Sequence, residues 1–366
     1  MPPDVPLAAH WISTPQTGRV HRQEQGATVL ESIQFHNFKA LRDTTLPLGQ
    51  FTLIVGPNGS GKTTAMHGLE SLKAPRSYKF RQLVTAGSEL AEACTVEVAA
   101  HWAALARGLV ATACWSSTDR GRTEFLGPPT GNTPSKAQID LARTQLDCIR
   151  VYSLDAQSIA QPVELLPAME LTRNGHRLPG VLDRLRDSSP ERFSALNAEL
   201  TSWLPEFDRI LFDTPSPGNR GIKLRTRQGQ HAIAAADVSQ GTLLALAILT
   251  LAYLPEPPSI VGLEEPDRGI HPRLLRDVRD ALYRLAYPDQ FGEEREPVQV
   301  IATTHSPYML DLFRDRPEEV VIAHKEGQEA RFERLTDRPD VDQILQDAHL
   351  GDLWYSGVLG GVPGER

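Results

Sequence analysis

The sequence predicts an α/β fold in which a mixed, largely parallel sheet forms the core lobe and a helical second lobe is attached. Three observations lead there. The apolar run Phe51-Thr52-Leu53-Ile54-Val55 enters the glycine-rich segment Gly56-Pro57-Asn58-Gly59-Ser60-Gly61-Lys62-Thr63, and a helical pattern follows at Ala65, Met66, Leu69 and Leu72. Two further short apolar runs, Ser259–Leu263 and Val298–Ala302, read as strands covered on both faces, as the centre of a parallel sheet requires. Between them Leu274, Val278, Leu282 and Leu285 recur at helical spacing, giving the crossover that parallel neighbours need.

The strand–loop–helix setting makes the glycine-rich segment a P-loop. Its glycines allow successive backbone N–H groups to face a phosphate chain, and the helix N-terminus adds partial positive charge. Lys62 is expected to reach the β- and γ-phosphates and the Thr63 hydroxyl to meet Mg2+. Asn58, Gly59, Ser60, Gly61 and Thr64 complete the expected cradle. The ligands expected are ATP and Mg2+.

With 366 residues the chain can bury one large core or two moderate ones. A net charge of −8 argues against a protein that coats nucleic acid unaided, so any DNA contact needs a local basic patch. Three widely spaced cysteines (Cys94, Cys114, Cys148) form neither a disulfide framework nor a zinc motif, which suits a reducing cytoplasm. Residues 1–28 carry no signal-peptide core and read as a loose tail. The most apolar run, Leu243–Leu254, is too short to span a bilayer and reads as a helix buried on all sides, so no membrane partner is expected.

The expected organisation is a tail over 1–28, a head over 29–330, and a C-terminal tail, 331–366, packed on the head. Within the head, a nucleotide lobe covers about 29–115 and 220–330, and a helical lobe about 140–215. Rough alternation at Leu30, Ile33, Phe35 and Phe38, and again at Thr95–Val98, predicts half-buried strands. The region 117–136, rich in Gly and Pro, reads as a surface loop. Leu178, Val181, Leu182 and Leu185, then Phe193, Leu196 and Leu200, mark two helices separated at Pro190.

The strand ending in Glu264-Glu265 supplies a chemical partner for the P-loop. Alone, such a pair is an ordinary charged turn. Beside a P-loop, Glu264 is expected to hold the metal through water and Glu265 to orient or deprotonate the attacking water. The next strand runs into Thr303-Thr304-His305-Ser306-Pro307, placing His305 on the ligand side of the sheet, where it senses the γ-phosphate or serves as a structural hydrogen bonder. In Asp237-Val238-Ser239-Gln240-Gly241-Thr242, Ser239 is a natural N-cap. One reading stops at a capped helix; the other makes the same turn a second anion site, in which Ser239 and the Gly241 amide meet a phosphate presented by a neighbouring subunit.

Together these segments resemble the ATP-binding-cassette (ABC) type of ATPase head found in SMC, RecF and OLD (overcoming-lysogenization-defect) proteins, and the OLD-like branch in particular. Phe35-His36-Asn37-Phe38-Lys39-Ala40-Leu41 matches the family's segment ahead of the P-loop, and Val238–Thr242 its signature. Glu264-Glu265-Pro266-Asp267-Arg268-Gly269-Ile270-His271-Pro272 matches its Walker B and D-loop, and Thr304–Pro307 its switch histidine. The match covers roughly residues 29–325. It implies two heads packed head-to-tail as a homodimer around two ATP molecules, each meeting the P-loop of one copy and Ser239 and Gly241 of the other, with Lys39 near the nucleotide. Gln82 is the candidate for the family's loop glutamine. The Ser-Gln-Gly-Thr signature departs from that of transporters and disfavours a transporter energy subunit. The residues after His305 are too few for the metal-nuclease domain of OLD nucleases, so a separate effector such as a nuclease is expected.

Lys223, Arg225 and Arg227 alternate on one predicted strand and, with Arg220, form one possible DNA stripe; Lys73, Arg76, Lys79 and Arg81, interleaved with Tyr78 and Phe80, form another. Either is equally readable as a solvated face. The function expected is an ATP-hydrolysing switch in DNA repair or anti-phage defence, with Glu265, His305 and Lys62 as catalytic residues. The alternative is a nucleotide-sensing scaffold whose hydrolysis is incidental.

Overall fold

Phe51–Val55 is buried along its whole length, and alternate residues serve different cores. Phe51, Leu53 and Val55 join one apolar cluster, with the helices Gln240–Tyr253 and Leu275–Ala286; Ile54 joins another, with the P-loop helix Lys62–Lys73. A strand with both faces covered is what its unbroken apolar sequence requires. The computed structural model describes residues 29–86, 94–102, 108–118, 121–127, 133–327, 329–347 and 349–360; the tail expected over 1–28 lies outside the described residues.

The core is a six-stranded sheet in the order Glu329–Arg334, Val320–Glu326, Phe51–Val55, Gln299–Thr304, Ile260–Glu264, Ile149–Tyr152. All its pairings are parallel except the first. Helix Leu275–Ala286 is the crossover between Ile260–Glu264 and Gln299–Thr304, and helix Gln240–Tyr253 is buried from Thr242 onward, as its all-round apolar sequence implies. Over the P-loop helix lies a five-stranded antiparallel sheet containing Leu30–Phe38, Leu41–Pro47, Thr95–Trp102, Leu109–Ser116 and Arg122–Leu126. The uneven alternation of Leu30–Phe38 has a cause: its register with Thr95–Trp102 shifts between Leu30 and Ser32, so Leu30 and Ile33 both face inward.

Three boundaries differ from those expected. Arg122–Leu126 forms an edge strand within the region read as a loop; its half-buried face holds Thr123 and Phe125, of which Phe125 alone packs on the core, too little apolar alternation to mark a strand. Ile149–Tyr152 belongs to the core sheet although the sequence placed it in the helical lobe. Glu329–Arg334 is also a core-sheet strand, straddling the expected start of a tail. Beyond it the helices Val341–Asp347 and Leu350–Tyr355 follow, and Leu350 and Trp354 are buried in the same cluster as Phe51.

The second lobe is not wholly helical. Helices Leu178–Ser188 and Pro190–Trp203, the latter with Pro190 in its first turn, pack on an antiparallel sheet centred on Asn219–Thr226. The Phe193 and Phe212 rings lie 5.7 Å apart, and Asn197 accepts from the Ile210 N–H at 2.8 Å. Strand Asn219–Thr226, expected in the nucleotide lobe, therefore belongs here.

A single buried amide stitches the two main sheets together. Gln299, 3% exposed, accepts from the Leu30 N–H at 3.0 Å and donates to the carbonyls of Leu30 at 2.7 Å and Gly49 at 2.8 Å. Gln299→Leu keeps the volume but strips partners from buried backbone groups, and it is expected to cost about 2–4 kcal/mol in urea denaturation. A loss of a few tenths would show that water replaces these bonds.

Candidate functional site

Parallel register brings the candidate residues together. Val55 pairs with Thr304, and Glu264 with Thr303, so the P-loop, the glutamate pair and His305 all leave the same edge of the sheet. The P-loop helix starts on Gly61 (φ 93°) without a side-chain cap, which leaves its first N–H groups for an external anion. Gly59 (φ 80°) also needs the left-handed region and borders open space. At Gly61 a Cβ would lie 2.7 Å from Ala330 Cβ, so the strand Glu329–Arg334 supports the loop from below.

Lys62 is buried and donates to the carbonyls of Gly56 at 2.5 Å and Pro57 at 2.9 Å. Burial pulls its ammonium below the ordinary lysine range, against the pull of the Glu265 and Asp267 carboxylates. Asn58, Gly59 and Thr63 are exposed at the loop mouth, Thr64 is half-buried, and the buried Ser60 hydroxyl has no partner. A capless helix end, an unsatisfied hydroxyl and a lysine ammonium held at the loop carbonyls suit a polyphosphate. Among the described residues no three His, Cys, Asp or Glu form a metal cage. Mg2+ needs no such cage, since it takes one or two protein oxygens and completes its shell with phosphate and water.

Glu265 sits at φ 47°, an uncommon conformation for a non-glycine residue, and its N–H donates to the carbonyl and the hydroxyl of Thr303, both at 3.1 Å. Its carboxylate lies 3.1 Å from His305 Nδ1. The two residues given separate tasks by the sequence therefore form one pair. His305, with half its side chain exposed, is held from behind by Trp354, whose indole N–H donates to the His305 carbonyl at 3.2 Å. Beneath them, Thr304 donates to Asp267 at 2.9 Å and accepts from the Ser306 N–H at 2.9 Å. Burial raises the Asp267 carboxyl above the usual carboxylate range.

Glu264 is engaged by Arg173, whose Nη2 donates to it at 2.5 Å, while Nη1 of the same guanidinium pairs with Glu70 on the P-loop helix. Lys39, held at φ 52° in the hairpin turn after Leu30–Phe38, meets His67 Nδ1 at 2.8 Å. Burial, then the charge of Arg173, keeps Lys39 below its ordinary range; burial, then the charges of Lys39 and Arg173, does the same for His67. Sequence reading missed Arg173, His67, Glu70 and Trp354. Thr63, His67 and Glu70 recur at helical spacing, a polar stripe readable beside the apolar one. Nothing in the sequence marks Arg173 or Trp354.

Ser239 is exposed and caps helix Gln240–Tyr253, accepting from the Thr242 N–H at 3.2 Å. Gly241 has a packing role as well: a Cβ there would lie 2.5 Å from the Gly269 carbonyl. The turn that opens helix Gln240–Tyr253 is thus seated on the backbone of Gly269 and Ile270. Gln82 accepts from the Lys79 N–H at 3.0 Å within a local turn, and it lies on the cleft shared by Lys39, His67 and Arg173.

The basic stripe on Asn219–Thr226 is neutralised. Lys223 pairs with Asp213 at 2.8 Å, Arg225 with Asp208 at 2.8 and 2.9 Å, and Arg220 with Asp183 at 3.0 Å; Arg227 donates to the carbonyls of Pro205 and Phe207. In the other cluster Lys73 donates to the Ile149 carbonyl at 3.2 Å, whereas Arg76, Lys79 and Arg81 are exposed.

The glycine-rich loop, the carboxylate pair and the strand-end histidine leave one edge of a mixed sheet backed by the capped helix Gln240–Tyr253, and the comparisons make this an ABC-type ATPase head of the SMC and OLD kind. The chain belongs to the family described as "AAA domain, putative AbiEii toxin, Type IV TA system", whose model matches residues 112–311; a second model, "AAA ATPase domain", matches residues 29–103. The OLD nuclease of Thermus scotoductus is 24% identical over 379 aligned residues, covering 88% of this chain and 68% of that protein. The chromosome partition protein Smc of Methanococcus voltae is 40% identical over 63 residues, 15% of this chain and 5% of that one. The Smc head bound to the C-terminal winged-helix domain of ScpA shares the fold with a TM-score of 0.58 at 16% identity, over 83% of this chain and 96% of that one. A Pyrococcus furiosus Smc head with an extended coiled coil, bound to the C-terminal domain of ScpA, gives 0.55 at 14% identity, over 87% and 99%. Among the described residues no helix is long and apolar enough to cross a membrane.

The raised Asp267 carboxyl has a consequence for stability. Its folded state favours the protonated form, so its contribution is full below the unfolded carboxylate range and is lost as pH rises through the folded value. Asp267→Asn, which keeps an acceptor for Thr304, is expected to raise the melting temperature at neutral pH and to lose that advantage in acid. A variant less stable than the parent at neutral pH would show that the charged form is favoured.

Proposed function

We propose that this chain is an ATP-hydrolysing switch that closes head-to-tail with a second copy around ATP and Mg2+ and reopens after hydrolysis. The observation that carries the reading is the Glu265–His305 pair, held at 3.1 Å on adjacent parallel strands beside the P-loop. In this reading the P-loop amides and Lys62 bind the triphosphate, with Lys62 exchanging its loop carbonyls for phosphate oxygens. Glu265 accepts a proton from the attacking water, and His305 fixes the Glu265 carboxylate and reports the γ-phosphate. Thr63 and Glu264 hold Mg2+, which neutralises phosphate charge when bound. The exposed Ser239 and the Gly241 amide are offered to the triphosphate of the other copy. Family membership and the likeness to an OLD nuclease support a cytoplasmic role in DNA repair or anti-phage defence with a separate effector, a nuclease being the effector class favoured. Of the two basic stripes, the one with the exposed Arg76, Lys79 and Arg81 is left for DNA, since the other is paired internally.

Glu265→Gln is expected to slow hydrolysis about 10²–10⁴-fold while leaving ATP binding intact. With ATP and Mg2+ it then accumulates as a dimer in light scattering; a monomer under those conditions sinks the shared-site reading. Lys62→Ala is expected to abolish the thermal stabilisation that saturating ATP confers, about 2.7 kcal/mol at a hundredfold excess over the dissociation constant. An undiminished shift would move the nucleotide away from the P-loop.

A further inference from the structure

A protein cation already occupies the carboxylate assigned to the metal. The Arg173 guanidinium spans two elements, donating to Glu264 at the end of strand Ile260–Glu264 at 2.5 Å and pairing with Glu70 on the P-loop helix. Glu264 is only 11% exposed, and a carboxylate with so little hydration is costly unless a positive group compensates it. The planar fork of arginine can serve two carboxylates at once. Thr63 and Glu70 lie two turns apart on the same stripe of the helix, so the bridge closes over the side of the P-loop where the metal hydroxyl ligand emerges.

The backbone that carries Arg173 is pinned. Its carbonyl accepts from the Ser153 N–H at 2.8 Å, the Asn174 carbonyl accepts from Asp155 at 3.0 Å, and the Gly175 N–H closes the turn onto Thr172 at 2.9 Å. Only the side chain is free to leave. The segment joins the core strand Ile149–Tyr152 to helix Leu178–Ser188 of the second lobe, so the guanidinium is a tie between lobes as well as a counter-charge.

We propose that Arg173 is the resident counter-cation of Glu264, displaced by the divalent metal when Mg-nucleotide binds. This rests on the reading of Glu264 as a metal-holding residue. Before metal arrives, the loop leading to the second lobe is tied to both the Walker B strand and the P-loop helix. After exchange it keeps only Glu70. Nucleotide without metal leaves the double tie in place, so the second lobe responds to the metal complex rather than to ATP alone.

The test is the factor by which Mg2+ improves the affinity of a fluorescent, non-hydrolysable ATP analogue over the same titration in EDTA. In the parent, part of the metal's gain is spent on displacing Arg173. In Arg173→Gln the factor is expected to rise roughly tenfold, the equivalent of about one charge-assisted hydrogen bond. Arg173→Lys, which keeps the charge but cannot bridge both carboxylates, is expected to fall between the two. Glu264→Gln is expected to lower the factor below the parent's, with Thr63 left to the metal. An unchanged or smaller factor in both Arg173 variants, with the Glu264 response intact, overturns the displacement and leaves the metal assignment standing. An unchanged factor in Glu264→Gln overturns the metal assignment itself.

Discussion

Residues separated by some 250 positions meet at one site because three strands pair in parallel and in register. Val55 against Thr304 and Glu264 against Thr303 leave no freedom in where the P-loop, the carboxylates and the histidine emerge. A slip of one residue would turn every side chain to the opposite face and bury a carboxylate in the apolar clusters. Both faces of the sheet are packed, so that slip is prohibited by the core itself.

Charge compensation shapes the site as much as position does. Arg173 answers Glu264 and Glu70, and Glu265 and Asp267 oppose the desolvation of Lys62, while Glu265 is also hydrogen-bonded to His305. Glu264, Glu265 and Lys62 are thus each held by another protein group, and in the proposed mechanism ligands enter by exchange. Exchange preserves the charge balance, which is why a partly buried site can be stable without its ligands and still receive them.

The strand Glu329–Arg334 and helix Leu350–Tyr355, late in the chain, reach back to the same place. Ala330 lies under Gly61, and Trp354 grips the His305 carbonyl. Expected from residue 331 onward to be a tail packed on the head, this segment is a part of the scaffold around the P-loop. The second lobe likewise proves to be helices on an antiparallel sheet, with its basic side chains spent on internal ion pairs.

The sequence by itself determined the nucleotide machinery: glycines at left-handed positions, apolar runs too dense for a half-exposed strand, and acidic or histidine residues directly after them. Those signals are local, and local chemistry is written in consecutive residues. It also determined the buried helix Gln240–Tyr253, whose composition allows no other placement. Only the tertiary structure decided that Arg122–Leu126 is an edge strand, that Ile149–Tyr152 completes the core sheet, and that Arg173 sits on Glu264. An edge strand whose inner face offers a single apolar residue, Phe125, carries almost no periodic signature, and a four-residue strand is too short to show one. An arginine's partner is set by where two distant segments pack, a long-range fact that no window of sequence contains.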